Sequence, residues 1–439
     1  MLRKLGGIAE RVLSGGKPEK IAHLGKSTSP FLLKKMQENN LAFTLRHVMK
    51  YSKFYRERLG SIKVDLKKVR HPAELGDFFT TSADITAQPS EVFLCAKPHR
   101  AFETTGSTGT PKKIFFSNQE IADMSRWGAA GLWTLGVRPA DRVVSAFDFA
   151  FWIPGITIQD MLERIGAFHV VASKIHPKEV AARMDDYHFN VILGDPSWLI
   201  RFTELMHNHK QYKVKLLLGG GEHVSDDVRK RIEDIWGANM ILSYGSTEAG
   251  GASCSECLRK NGYHLNEFAF FFEIINPDKD GYGEIVFTTL VRETMPLVRY
   301  RTGDVATFID GKCACGLPTR RISKIRGRKD DMVVLGAGNM FPWIFEEILR
   351  DIDEISADWQ IAVKKAAGGI DCLEFRVEKV SGSDEQLTKV IQENIQVRFN
   401  DIWKNYMVGM CDLKFTFMNR GDLRTGRKIK RLVDERNDY

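Results

Sequence analysis

Between Val143 and Leu242, short apolar runs alternate with longer amphipathic stretches, and no other feature narrows the fold of this chain as far. Val143 to Phe147, His169-Val170-Val171, Val191-Ile192-Leu193, Val214 to Leu218 and Met240-Ile241-Leu242 read as strands. Nearly continuous apolar runs of this kind suit strands covered on both faces. Thr157 to Gly166, Lys178 to Tyr187 and Asp226 to Trp236 carry apolar residues at helical spacing, and another helix is expected after Leu193. Strand and helix taking turns this regularly predict a mainly parallel sheet with helices on both faces. Ligands of such sheets sit beyond the carboxyl ends of the strands. That rule singles out three loops, Phe147 to Gly155, Gly219 to Glu222 and Ser243 to Glu248, which should open on one face.

The flanking sequence has a different texture. Residues before about 90 read as helical and polar, with Leu41, Leu45, Val48, Tyr51 and Tyr55 at helix-like spacing between Met36 and Leu59. Phe78-Phe79-Thr80-Thr81-Ser82 is a helix-start signal, and a second amphipathic helix is expected from Asn118 to Leu135. Beyond Gly250, runs such as Phe268 to Ile275, Gly283 to Thr289 and Val305 to Phe308 suggest an antiparallel region. The charged stretch Arg326 to Asp331 suits a linker. After it, helices at Trp343 to Ile352 and Asp384 to Phe399 and strands at Trp359 to Val363, Leu373 to Val377 and Asp412 to Phe417 suggest a small α+β domain ending in a basic tail. The expected fold is therefore α/β. A large N-terminal domain, residues 1–329, would hold mainly parallel, helix-covered sheets plus an antiparallel β region, and residues 330–439 would form a small mobile α+β domain.

A formal charge of +8 would reward any polyanion, but Lys and Arg are spread along the chain and no nucleic-acid-binding motif is visible. No apolar run approaches the roughly 18–20 residues that a membrane helix requires, and Met1 to Leu13 reads as a terminal amphipathic helix rather than an anchor. Seven cysteines, an odd number, without a signal-peptide core argue for reduced thiols and a cytoplasmic location.

Thr104-Thr105-Gly106-Ser107-Thr108-Gly109-Thr110-Pro111-Lys112-Lys113 runs directly into the apolar Ile114-Phe115-Phe116. Closely spaced glycines let backbone N–H groups turn onto anionic oxygens, Ser and Thr add hydroxyl donors, and Lys adds a point charge. Such a loop suits a triphosphate, although a plain surface turn has the same composition. It lacks the Gly-Lys-Ser/Thr spacing of a Walker motif.

Further motifs follow in order: Tyr244-Gly245-Ser246-Thr247-Glu248, Tyr300-Arg301-Thr302-Gly303-Asp304, Gly327-Arg328-Lys329-Asp330-Asp331, Gly338-Asn339-Met340-Phe341-Pro342, and Lys428 with Arg431. This ordered set resembles the acyl-adenylate-forming, or AMP-binding, superfamily of acyl-CoA ligases, synthetase adenylation domains and luciferases. Phe78-Phe79-Thr80-Thr81, Cys313-Ala314-Cys315-Gly316 and the compact length make it most similar to the phenylacetate-CoA ligase group.

The resemblance implies ATP, Mg²⁺ and, as acyl acceptor, CoA. Thr105, Ser107, Thr108 and Lys112, with the backbone of Gly106 and Gly109, would hold the β- and γ-phosphates. Thr247 would contact the α-phosphate and Glu248 would ligate Mg²⁺. Tyr244, with Gly245 beside it, would stack on adenine, while Asp304 and Arg328 would belong to the nucleotide site, Asp304 on the ribose. Lys428 would be the catalytic lysine. It is chosen by its spacing to Arg431, since Arg427 stands where the family carries glycine, and Lys430 is a lesser candidate. Asp330 would be the hinge. Lys113 replaces a glycine common in relatives.

Cys254 and Cys257 are followed by His264 and, about fifty residues on, by Cys313 and Cys315. Thiolates and an imidazole at two such sites could clasp a tetrahedral zinc ion. The family resemblance favours Cys257, His264, Cys313 and Cys315, with Cys254 in reserve, and unliganded reduced cysteines remain the alternative. For the acid, the loop rule nominates Phe147, Phe149, Phe151, Trp152, Pro196, Trp198, Gly219, Gly220, Gly221 and Glu222. Aromatic walls over glycines suit a flat, mostly apolar acid, with an aryl or arylacetic acid leading. Three readings follow: an acid–CoA ligase, an adenylating enzyme serving a carrier protein or an amine, and an inactive binding homologue. A homodimer is the expected assembly.

Overall fold

The computed structural model of the chain describes residues 16–104, 111–173, 175–222, 224, 226–328, 333–335, 338–366, 370–424 and 429–436. The chain forms two compact units. One holds the residues up to Thr302 together with Ala306–Lys324, and the other holds Gly303–Val305 and the residues from Ile325 onward.

The chain enters through helices α1 (Pro18–Ser27), α2 (Pro30–Tyr51) and α3 (Lys53–Gly60). The apolar periodicity from Met36 to Leu59 is therefore broken once, at the buried Ser52. Its N–H ends α2 on the Val48 carbonyl at 3.0 Å, and its Oγ accepts the Tyr55 N–H at 3.3 Å to start α3. The helix-start signal at Thr81 is realised in α4 (Ser82–Ala87), where Thr81 Oγ1 accepts the Asp84 N–H and the Asp84 carboxylate accepts the Thr81 N–H.

Strands β1 (Arg100–Glu103) and β2 (Lys113–Phe116) pair antiparallel, and α5 (Asn118–Thr134) follows. Next come β3 (Arg142–Ser145), α6 (Ile153–Ile165), β4 (Phe168–Val171), two short helices α7 (Pro177–Ala181) and α8 (Met184–Tyr187), β5 (Val191–Gly194), α9 (Pro196–Leu205), β6 (Leu216–Gly220), α10 (Asp226–Trp236) and β7 (Asn239–Ser246). The single helix expected from Lys178 to Tyr187 is thus two. β4, β3, β5, β6 and β7 lie side by side and parallel. The strands read as doubly covered are so: Val191, Ile192, Leu217, Met240 and Ile241 have no exposed surface. Leu132, Leu162 and Ile165 of α5 and α6 pack with Val143, Val191 and Ile241. On α9 and α10, Trp198, Phe202 and Trp236 stack in sequence with ring centroids 5.1 and 5.6 Å apart.

The antiparallel region continues the same sheet. β8 (Gly251–Glu256), β9 (Tyr263–Leu265), β13 (Phe308–Ile309) and β14 (Arg321–Ile322) extend it beyond β7, giving the order β13-β14-β9-β8-β7-β6-β5-β3-β4. A separate sheet has the order β10-β11-β12-β15, with β10 Phe270–Ile275, β11 Gly283–Thr289, β12 Tyr300–Ala306 and β15 Gly327–Arg328. Two of the glycine-rich stretches expected as loops belong partly to strands. Gly220 lies opposite Ser243, and a Cβ on it would meet Ser243 Oγ at 2.6 Å. A Cβ on Gly245 would stand 2.0 Å from the Gly251 carbonyl oxygen, where β7 and β8 slip register. Gly245 serves close backbone approach and Gly220 leaves room for the Ser243 side chain, rather than either making a turn.

The second unit carries β16 (Val333–Leu335), β17 (Gly338–Met340), α11 (Pro342–Leu349), β18 (Ile355–Lys365), β19 (Asp371–Lys379), α12 (Asp384–Arg398), α13 (Asn400–Met407), β20 (Cys411–Met418) and β21 (Leu432–Asp434). Its main sheet has the order β20-β19-β18-β21 and buries Phe345, Ile348, Ile361, Val363, Leu373, Phe375, Ile391 and Ile395 completely. The basic tail thus contains a strand, which pairs parallel to β18 and buries Leu432. No described helix is long and apolar enough to cross a membrane.

Candidate active site

Glu248 sits in the turn between β7 and β8, the point where the sheet changes from parallel to antiparallel. The residue is buried, its carboxylate held by two groups and its backbone carbonyl by a third. Lys112 Nζ is 2.9 Å from Oε1, and the Tyr300 hydroxyl donates to the same oxygen at 2.7 Å. Arg292 Nη1 donates to the Glu248 backbone carbonyl at 2.5 Å. Lys112 also reaches Ser82 Oγ at 3.0 Å, at the start of α4. Burial pushes the Glu248 carboxyl up, but the charge and hydrogen bond of Lys112, aided by Tyr300, outweigh it and hold the group below the usual carboxylate range.

Lys112 is placed by the strand pair β1–β2. Its N–H donates to Thr104 Oγ1 at 2.9 Å, and the Thr104 N–H donates to the Lys112 carbonyl at 3.0 Å. Thr105, Gly106, Ser107, Thr108 and Gly109 lie outside the described residues, as do Asp330 and Lys428. Thr247 Oγ1 donates to the Glu103 carbonyl at 3.4 Å, which ties the turn to β1. Tyr244 and Gly245 lie on β7 just before it.

The expected acid-binding residues gather at the carboxyl ends of β3, β5 and β6. A Cβ on Gly220 would lie 3.8 Å from Phe147 Cζ, and one on Gly219 would lie 3.4 Å from Pro196 Cγ. Gly221 has φ +87° beside Asp195. The Glu222 carboxylate accepts the Ser197 N–H at 3.0 Å, so it caps the first turn of α9. Phe147 and Trp198 are core residues, whereas Phe149 and Phe151 are exposed. Trp152 leads into α6. Glu103 N–H donates to the Phe151 carbonyl at 2.8 Å, joining this aromatic segment to the strand before the phosphate-type loop.

Asp304 and Arg328 belong to the other compact unit. They face each other across β12 and β15 and form an ion pair at 3.2 Å.

Cys257, His264, Cys313 and Cys315 present ligand atoms that all lie within 4.8 Å of one another. The Cys257 and Cys313 sulfurs are 3.7 Å apart, and Cys315 Sγ is 3.3 Å from His264 Nε2. A zinc tetrahedron with Zn–S near 2.3 Å has S···S edges of about 3.8 Å, so the donor set fits the ion. His264 Nδ1 lies 3.2 Å from Thr319 Oγ1, which fixes the ring with Nε2 toward the sulfurs. Cys254 stands apart because strands alternate: Ser255 is the residue opposite His264, which turns Cys254 to the other face. Its buried thiol is pushed up to about 12.

Sequence reasoning missed the residues around Glu248. Arg292 is buried with its guanidinium 4.5 Å from the Phe116 ring, and burial pulls its pKa down to about 10 against the charges of Glu120 and Glu248. Glu120 is buried too, accepting from Ser117, Glu293 and Thr294. Tyr300 opened a recognised motif but had no task. Ser117 and Glu120 have the spacing of a helix capping box, but the partners that tie Glu120 and Arg292 into the site are far away in sequence.

A sequence profile described as AMP-binding enzyme matches residues 103–267, and one described as AMP-binding enzyme C-terminal domain matches residues 337–436. The chain belongs to the AMP-binding enzyme family. It is similar to the phenylacetate-coenzyme A ligase of Escherichia coli K12, at 27% identity over 382 residues that cover 83% of this chain and 86% of that one. A phenylacetate-coenzyme A ligase of Pseudomonas putida is 28% identical over 362 residues, 79% of this chain and 82% of the relative. Among solved structures, 2-hydroxyisobutyryl-CoA ligase in the postadenylation state with 2-HIB-AMP has the same fold, with a TM-score of 0.81 at 18% identity over 94% of this chain and 91% of that one.

Proposed function

We propose that the chain is an ATP-dependent, AMP-forming acid–CoA ligase acting on an aryl or arylacetic-type carboxylic acid. The observation that carries this reading is the buried Lys112–Glu248 pair. It brings Lys112, beside the glycine-rich loop, against Glu248 at the sheet's carboxyl edge, which supports a nucleotide site there in a chain that both family profiles match. In the first half-reaction a carboxylate oxygen bonds to the α-phosphorus of ATP, the bond to the bridging oxygen breaks and pyrophosphate leaves. The CoA sulfur then bonds to the acyl carbon and AMP departs. Bringing two anions together makes charge stabilisation the main demand.

Lys112, with Ser107, Thr108 and the backbone of Gly106 and Gly109, holds the β- and γ-phosphates. Thr247 contacts the α-phosphate, Tyr244 stacks on adenine, Asp304 accepts from the ribose, and Lys428 bridges the carboxylate and the α-phosphate. Glu248, with the phosphates, would hold Mg²⁺, which would supply charge neutralisation. One carboxylate with substrate phosphates is a donor set that this ion favours. Phe147, Phe149, Trp152, Pro196, Gly220 and Gly221 shape the acid pocket, and Glu222 shapes it by holding α9. A cytoplasmic, reducing location agrees with seven free cysteines. A homodimer is the proposed assembly, to be checked by light scattering.

The decisive experiment is acid-dependent exchange of pyrophosphate into ATP across aromatic, arylaliphatic and fatty acids, followed by mass detection of the CoA thioester. Exchange with arylacetic acids and a CoA thioester are expected. No exchange with any acid refutes the ligase reading, and exchange without a thioester moves the acceptor to a carrier protein or an amine.

Zinc at Cys257, His264, Cys313 and Cys315 is proposed as a structural clasp between β-strand segments about fifty residues apart. Elemental analysis should find one zinc per chain, and chelation should lower the melting temperature by roughly 5–10 °C. A metal-free preparation that melts unchanged in chelator removes the site.

A further inference from the structure

We propose that Tyr300 is a positioning residue that keeps the Glu248 carboxylate in its metal-binding orientation once Lys112 leaves it for the nucleotide. The inference rests on the adenylation reading and adds a residue to which that reading gives no role. Tyr300 and Lys112 share one oxygen, Glu248 Oε1, at 2.7 and 2.9 Å. Lys112 belongs to the phosphate-type loop, and its charge is needed on the β- and γ-phosphates when ATP binds. It cannot remain Glu248's main partner there. The ammonium that now neutralises the carboxylate is replaced by a metal cation, and during that exchange a neutral donor must hold the side chain still.

Tyr300 is built for that task. It is 2% exposed, and its ring packs on Phe287 with centroids 5.4 Å apart. The backbone on both sides is pinned to Thr80: the Thr80 N–H donates to the Arg299 carbonyl at 3.1 Å and the Arg301 N–H to the Thr80 carbonyl at 2.9 Å. Thr80 is itself held by Tyr55, whose hydroxyl lies 3.0 Å from Thr80 Oγ1 and accepts the Val298 N–H at 3.0 Å. The main chain of Glu248 is fixed independently by Arg292. Backbone and side chain are therefore oriented by two groups that carry no phosphate-binding duty. A phenol is the right kind of group, because it donates to the carboxylate without competing with the metal for charge.

The test measures Mn²⁺ affinity by electron paramagnetic resonance in the presence of α,β-methylene-ATP, with pyrophosphate exchange as the second readout. Tyr300→Phe should bind Mn²⁺ ~10–100-fold more weakly than the parent chain. Its KM for the acid should stay within about 2-fold, and raised Mg²⁺ should restore its exchange rate, which loss of packing would not allow. Replacement of Tyr300 by 3-fluorotyrosine, a stronger donor of nearly the same shape, should bind Mn²⁺ no more weakly than the parent. Equal Mn²⁺ affinity in the parent and Tyr300→Phe overturns the inference alone, and so does weakening that metal does not rescue. A parent chain that neither exchanges pyrophosphate nor binds the Mn²⁺–nucleotide overturns the adenylation reading and the inference together.

Discussion

Lys428→Ala is expected to slow adenylate formation by about 10³-fold while thioester formation from supplied adenylate stays within about 3-fold of the parent. In the first half-reaction a carboxylate must approach a triphosphate, and a cation placed between them acts mainly in the transition state, where charge is shared between attacking and leaving oxygens. In the second half-reaction the attacking group is a thiol and the electrophile is an acyl carbon, so the same cation has little to stabilise. Residues on both sides of the 425–428 segment are anchored to β18. Arg424 forms a two-pronged ion pair with Asp358 at 2.6 and 3.1 Å. Arg431 donates to the Trp359 carbonyl at 2.8 Å, and its guanidinium lies 4.8 Å from the Trp359 ring. Truncating Lys428 leaves these anchors intact, so melting should be unchanged. Lys430→Ala, at an exposed position whose carbonyl accepts from Gln360, should leave both half-reactions near the parent rate. Single-turnover measurements with separately prepared adenylate decide the matter. Equal loss of both half-reactions, or transfer of the large effect to Lys430, would count against the role of Lys428.

The sheet was legible because its strands announce themselves twice. Val191 to Leu193 and Leu216 to Leu218 are too apolar to be exposed, and the helical segments between them fix the strand direction. What misled was glycine. Gly219, Gly220 and Gly245 read as loop residues, yet each lies in a strand, and at Gly220 and Gly245 a neighbouring atom comes too close for a Cβ. β21 was hidden for the opposite reason: three residues within a run of charges carry no periodicity, and only pairing with β18 makes them a strand. The site followed the same division. Lys112 and Glu248 were legible from motif chemistry, and the structure adds that they touch. Arg292 and Glu120 were not legible, because a buried charge looks like a surface charge until its partner is known. Apart from the helix cap with Ser117, the partners of Glu120 lie 173 and 174 residues away in sequence.

Glu248→Gln should combine the largest stability loss at this site with an adenylation defect of at least about 10²-fold. The side chains of Lys112 and Glu248 are 13% and 6% exposed, and removing one partner of such a pair leaves the other's charge buried without compensation. That costs about 3–5 kcal/mol. Glutamine keeps the shape and can still accept from Tyr300, so the loss reports the charge rather than the packing. Its pH dependence is fixed by sign. The folded-state pKa of Glu248 lies below its ordinary value of 4.5, so the folded protein holds this proton less tightly than the unfolded chain does. Its contribution is complete above the unfolded value and is lost as pH falls through the folded one. Urea unfolding should therefore show a full gap between parent and variant at neutral pH, narrowing below about pH 4.5. A gap that stays constant or widens in acid would mean that the carboxylate is not held by Lys112. The activity defect should persist at every pH at which the parent works, because glutamine supplies no anionic ligand for the metal.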